Sequence, residues 1–406
     1  MEMFLAFWRN RQETRTGERI KTLRYLITLL FFCFLCGCNT PSGDKPATKD
    51  ESTLGQMVII PQFEEVLPLT KGLAAVKIGD DKTGKWGYID KQGKMVINPI
   101  FDEARNFSES DGLARVRIGN NTIGQWWFID TSGKMLINPQ LNILSGFNEG
   151  FAVFSNGDNK TEKFGYIDKD GKIAIKPQFD GYGEFSEGLA GVRIGDDKTG
   201  KWGFIDKQGN IVLKPQFGWE TNFSEGLAAV RIGDDKTGKW GFIDKQGKMV
   251  VNPQFDAAAE FYDGLAAVRI GDDKTGKWGF IDKQSKVVIN SQFDEVSSFT
   301  EGLAAVKIGN EKTGKWGFIN KQGMMVINPQ FDRVMCFTEG LVAVRIGDKK
   351  TGKWGFIDKQ GKMVVNPQFD AIGDFSNGFS EGLAPVKIAG KWGFISRGPY
   401  RKDAGK

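Results

Sequence analysis

The residues of this chain best suited to acid–base chemistry are four pairs of neighbouring carboxylates: Asp80-Asp81, Asp196-Asp197, Asp234-Asp235 and Asp272-Asp273. Two carboxylates can divide glycoside hydrolysis between a proton donor and a nucleophile or base. All four pairs, however, stand in copies of one motif, "GDDKTG", and an enzyme needs one site rather than a copied one. The 406 residues include no His. That removes the commonest general base, the Ser-His-Asp and Cys-His arrangements, and the commonest zinc ligand. As calcium loops the same motifs lack the alternating Asp/Asn pattern and the closing Glu, and their Lys opposes a divalent cation. They read as solvated turns. No catalytic residue, metal ligand or cofactor site is expected, and the chain is read as a non-enzyme.

Two other residue types invite a role. Trp86, Trp202, Trp240, Trp278, Trp316, Trp354 and Trp392 each precede a Gly. Such a column could be a ladder that stacks sugars or quaternary amines. A Trp beside Gly inside a strand more often packs in a core, and these seven are read as repeat core. Cys336, in "VMCFTEG", reads as a buried inert thiol rather than a reactive one. Lys and acid alternate through the chain, and six Lys/Arg against three Asp/Glu in residues 1–37 account for three of its five net positive charges. No basic stripe is left to capture nucleic acid.

The elements that position these residues follow from their spacing. With the degenerate copies Trp126-Trp127 and Phe164-Gly165, successive markers lie 40 residues apart once and 38 apart seven times. The two extra residues fall in "NFSESDGLARV", against "NFSEGLAAV" at 222–230. Nine units of 38 fill residues 57–398, and a fixed period of this length signals a repeat architecture. Within 287–324, "VVI", "LAAVKI" and "KWGFI" read as short strands, with "QFDEVSSF" as a weaker fourth. Asn320 to Gly323 ("DKQG" in most units) suits a type I turn followed by a left-handed glycine, so Ser285 in that glycine's place should be strained. The Gly before each "LA" strand, such as Gly302, suggests a positive φ or a tight contact. The Gly of each Trp-Gly pair is assigned the space where a neighbouring unit's side chain lands. One small meander cannot bury its own faces, so the copies must stack.

The stretch "GKWGFIDKQGKMVINPQFDEVSSFTEGLAAV", pieced together from these units, resembles the bacterial WG (KWG) repeat family. The resemblance covers 57–398, with departures at Leu141, Phe164 and Ser291. It implies an exported or envelope-associated β-repeat protein and supplies a class rather than an activity. The fold expected is all-β: nine antiparallel meander units, in a propeller-like ring favoured narrowly over an open β-superhelix or solenoid. The ring is favoured because "MVIIPQF" (57–63) opens the repeats with a strand that the closing "KWGFIS" (391–396) lacks, so the two ends complete one unit. Against it stands the usual limit of eight blades.

Residues 1–37 read as an export signal: Arg19, Lys21 and Arg24 precede an apolar stretch of about 13 residues, too short to span a bilayer. The end of that stretch, Leu35-Cys36-Gly37-Cys38, resembles a bacterial lipobox, which implies acylation of Cys38. Cys36 fits less well, because Leu35 would then take the small-residue position. The alternative is an ordinary signal or membrane anchor with incidental cysteines. Residues 38–56 are polar with two prolines and read as a flexible tether of roughly 20–25 Å reach, and 399–406 as a tail. The function expected is a scaffold, lipid-anchored at the bacterial cell envelope (outer membrane or cell surface), that binds a protein or glycan partner. The alternative is a structural spacer. A binder should gather its divergent residues, 125–128 and 141–166, on one patch, whereas a spacer should scatter them.

Overall fold

The computed structural model describes residues 54–398 except 81, 120–124, 138–141, 157–161, 197, 235–236, 311 and 374–377. The expected leader, Cys38, most of the tether and the tail lie outside the described residues. The chain begins its regular structure with β1 (Met57–Phe63), β2 (Glu65–Val66), β3 (Leu73–Ile78), β4 (Lys85–Asp90) and β5 (Met95–Phe101). Strands β2 to β5 form an antiparallel sheet in chain order, and the pattern continues through nine four-stranded sheets. The weak fourth strand of the sequence reading is real and short: in the unit around Trp316 it is Glu295–Val296.

Local chemistry explains each meander. β3 and β4 pair over their full length, from Leu73↔Asp90 to Ile78↔Lys85. Their loop closes on two glycines; a Cβ on Gly79 would lie 2.7 Å from the Cα of Gly84. At the next turn Gly93 N–H donates to Asp90 O at 3.0 Å with Gly93 at φ 80°, the expected three-residue hairpin. Ser285 occupies the equivalent glycine position at φ 67°. Gly72 stands at φ 78° with nothing within 4 Å of an added Cβ. Conformation, and not crowding, selects glycine there.

The Gly of the Trp-Gly pair has a different tenant from the one expected. Trp86 pairs with Phe101 but Tyr88 with Ile97, so β5 carries extra residues between these pairs and bends across Gly87. A Cβ on Gly87 would lie 2.5 Å from Ile97 O and 2.8 Å from Pro99 N. Backbone of the same sheet fills the space. The neighbouring unit's side chain lands on the turn glycine instead: Ile59 would be 3.2 Å from a Cβ on Gly93, as Ile289 would from one on Gly323.

Each sheet buries its faces against its neighbours. Between the sheets around Trp316 and Trp354, Leu303, Phe318, Ile327 and Phe331 meet Phe337, Val344 and Ile357. Full burial of such a side chain stabilises by about 1.5–3 kcal/mol. A polar belt also joins neighbouring sheets, as at the joint between the sheets around Trp240 and Trp278. Glu225 accepts the N–H of Gly264 at 3.1 Å and lies 3.0 Å from Lys283 Nζ. To do so it adopts φ 53°, one of six glutamates held in the left-handed region just before the strand glycine.

The ends of the chain meet. β1 pairs antiparallel with Lys391–Ser396 and completes the ninth sheet with Leu383–Ile388 and Ala371–Ile372. The ninth joint repeats the chemistry of the others. Glu381 accepts the N–H of Gly72 at 3.0 Å and lies 3.1 Å from Lys91 Nζ. Ile59, Phe63 and Phe394 pack against Leu69, Val76 and Ile89. The molecule is a nine-bladed β-propeller ring, as the unmatched first and last segments imply, and every sheet is sandwiched between two others.

Candidate ligand-binding site

The residues singled out by type lie in dispersed, repeated settings. Trp86, Trp316 and Trp354 are buried. Trp202, Trp240, Trp278 and Trp392 are half-buried and pack against the blade cores. A cation on the neighbouring strand covers several of these rings: Arg269 Cζ lies 5.7 Å from the Trp278 centroid and Lys387 Nζ 5.6 Å from that of Trp392. At the loop tips Asp80 Oδ1 accepts the N–H groups of Lys82 (2.8 Å) and Thr83 (2.6 Å), and these donors, Thr83 first, hold its carboxyl below the usual range. Asp272 does the same with Lys274 and Thr275. These carboxylates cap their own turns. Cys336 is half-buried, and burial pushes its thiol up.

A cavity of about 530 Å³ opens between the second and third blades. Its cause is a set of departures from the repeat. Arg115 stands where five sister units carry Ala75, Ala229, Ala267, Ala305 and Ala343, none more than 4 % exposed. A guanidinium cannot fit that space. Instead Arg115 reaches across the joint: Nη1 donates to Ile143 O at 3.1 Å, and Cζ lies 4.2 Å from the Trp126 centroid. Arg105 and Arg117 approach the same ring at 5.9 and 5.7 Å. Trp127 replaces the strand-crossing Gly, and pairing with the following strand ends at Phe128↔Ile137 among the described residues. The two-residue insertion, Glu109-Ser110, widens the turn that Ser108 and Leu113 close at 2.9 Å, and both inserted residues line the cavity. Gly146 and Asn148 of the third blade and Glu184 of the fourth complete the wall.

Several charges meet at this cavity. Glu103 serves two guanidinium groups, Arg117 at 3.1 Å and Arg105 at 3.8 Å. Glu109 lies 3.9 Å from Lys71. Burial raises the Glu184 carboxyl above its ordinary value, against a hydrogen bond from Asn148 and the charge of Arg115. Asn106 Oδ1 is buried with no hydrogen-bond partner. An unsatisfied buried acceptor costs about 1–3 kcal/mol, and here it faces the cavity wall.

A second departure lies at the joint of the fourth and fifth blades. Glu220 Oε2 is buried without a partner, and its carboxyl occupies the space above Gly191 that a Cβ would fill. Burial, and then the charge of Glu260, push its pKa up to about 8. Sequence reasoning singled out 141–166, which includes the lining residues 144–148, but missed the wall built by 105–115 and the burial of the Glu220 carboxyl. The departures at 105–115 are visible in the sequence, but their convergence on one cavity is a property of the ring.

The model of the WG containing repeat matches the chain nine times: at 52–82, 86–121, 126–159, 164–198, 202–236, 240–274, 278–311, 316–349 and 354–392. No curated protein matches it. Among solved structures, the crystal structure of a eukaryotic initiation factor is similar over 82 % of this chain and 95 % of that one, at 13 % identity and a TM-score of 0.58. That likeness is one of fold alone. The β-propeller domain of the Trilobed protease from Pyrococcus furiosus matches at 12 % identity over 68 % of this chain and 99 % of that one, with a TM-score of 0.38. A Pyrococcus horikoshii acylaminoacyl peptidase matches at 9 % over 73 % and 57 %, with a TM-score of 0.37.

Proposed function

Because the chain belongs to the WG containing repeat family, we propose that it is a non-catalytic propeller scaffold that holds a glycan or protein partner in the cavity between its second and third blades. One observation carries this reading. Of the divergent stretches, residues 144–148 line one cavity and residues 125–128 do not; Arg105, Arg115 and the Glu109-Ser110 insertion, further departures from the sister units, line it too. A spacer would have no reason to gather them. A concavity of this size that combines apolar lining with a few convergent polar groups fits a ligand site. The carboxylates of the loop tips support the non-catalytic part, since they are engaged with their own backbone.

The address belongs to the same proposal and rests on the leader. An acylated Cys38 tethers the ring to an envelope membrane through residues 39–56. Cells fed a fatty-acid analogue should label the protein, and Cys38→Ala should abolish the label; label that persists in the variant overturns the anchor. Envelope fractions passed over the immobilised protein test the scaffold. Retention of a component that Arg115→Ala fails to retain is the expected result, and equal retention by both overturns the cavity as the site.

A further inference from the structure

Independently of the cavity, we propose that the sixth blade docks a second copy of this chain. Its last strand, Val287–Phe293, pairs antiparallel with the same strand of the partner and joins two rings edge to edge. The starting point is a proline. This strand stands at the end of each sheet, and a free edge templates further strands unless something blocks it. Eight units carry Pro in the middle of the strand, from Pro61 to Pro367, and one carries Ser291. Proline has no N–H to offer an incoming strand. The ladder to the preceding strand keeps one register with either residue: Phe280↔Ile289 and Trp278↔Phe293 against Phe318↔Ile327 and Trp316↔Phe331. The sister ladders form without an N–H at this position, so that of Ser291 is surplus to its own sheet. Of the nine units, this is the one without the block.

A second guard is lost beside it. Six units place Lys just before this strand, as Lys94 does, and charge on an edge also discourages pairing. The seventh blade has Met324 there, 60 % exposed. A Cβ on Gly323 would lie 3.2 Å from Ile289, so the turn that carries Met324 rests on the unblocked strand. It adds exposed Met324, Met325 and Val326 to the exposed Val287 and Val288. The strand itself says what covers it. Its residues, "VVINSQF", carry no charge, so it meets a copy of itself without repulsion. Exposed Lys286 stands before it and Asp294 after it. Antiparallel pairing centred on Asn290 sets Ser291 opposite Ile289 of the partner, and Lys286 of each copy opposite Asp294 of the other. A two-fold axis makes the two opposite-charge pairs identical. A parallel partner in register would set like charges together.

The experiment is sedimentation velocity on the full-length chain over roughly 1–100 μM. The parent should pass from monomer to dimer within that range. Ser291→Pro restores the residue of the eight sister units and should weaken the dimer at least about tenfold, because a two-fold axis counts each lost main-chain hydrogen bond twice. Lys286→Asp sets carboxylates against Asp294 at both ends and should also weaken it, more at low salt than at high. Far-UV circular dichroism checks that the variants keep the fold. If Ser291→Pro alters the spectrum, Val288→Lys, at an exposed site on the same edge, takes its place. A parent that stays monomeric throughout overturns the proposal. Association that ignores either the edge substitution or Lys286→Asp overturns it too, since contact through any other surface would be blind to them.

Discussion

Most polar side chains whose contacts are described do one of two jobs, and Glu220 is among those that do neither. Most carboxylates are matched: Glu225 holds the next blade's backbone, and Asp80 caps its own loop. Glu220 is half-buried as a residue, but its Oε2 is buried without a partner, and that burial pushes its pKa up to about 8. Its folded pKa lies above the ordinary glutamate value of 4.5. The protonated form therefore favours folding fully below pH 4.5, and that contribution is lost as the pH rises towards 8. Glu220→Gln removes the titration, so it should gain stability over the parent between pH 5 and pH 8, on the order of 2–3 kcal/mol. Thermal melts of both proteins at the two pH values check this. A difference between parent and variant that does not change with pH contradicts the assignment.

At the scale of the strand, the Trp-Gly pair is a crossing point. The bulged strand of the same sheet runs over Gly87, with Ile97 O and Pro99 N where a Cβ would stand. Backbone cannot step aside as a flexible side chain can, so Gly87→Ala should cost about 2–4 kcal/mol. Gly72→Ala meets no atom and is opposed only by φ 78°, so it should cost about 1–2 kcal/mol. Chemical denaturation of the two variants ranks the effects, and an equal or reversed order contradicts the crossing. The elements were largely legible in the sequence. A period of 38 residues, apolar runs bounded by turns, and Ser285 in a glycine's place all correspond to what forms. The tenant of the Trp-Gly glycine was not legible, because the bulge lies in β5, between Ile97 and Phe101, and its effect falls on Gly87 of the paired strand. The left-handed Glu225 was hidden too: its conformation answers to Gly264 and Lys283, one unit away. The cavity was half visible. Arg115 among alanines and the two inserted residues stand out by comparison of units, but their meeting with Asn148 and Glu184 needs the blades in place.

For the whole molecule, identical joints imply a closed circle with one seam. Each blade is a sheet that cannot cover its own faces, so stability is shared between neighbours. The ninth joint must form from the two ends of the chain, and Glu381 on Gly72 with Ser380 on Leu69 O at 2.7 Å reproduces there the contacts of the other joints. A closed ring also fixes the second, third and fourth blades, whose residues line the cavity, relative to one another. Closure is therefore the claim on which scaffold and site both depend. The direct measurement is amide hydrogen exchange on the chain lacking residues 57–63, the strand β1, compared with the intact chain. The ring predicts a large loss of protection in 391–396, the strand that pairs with β1, and around Leu69 to Val76 across the seam, with 227–281 in the fifth and sixth blades close to unchanged. Unchanged protection in 383–396 would contradict it.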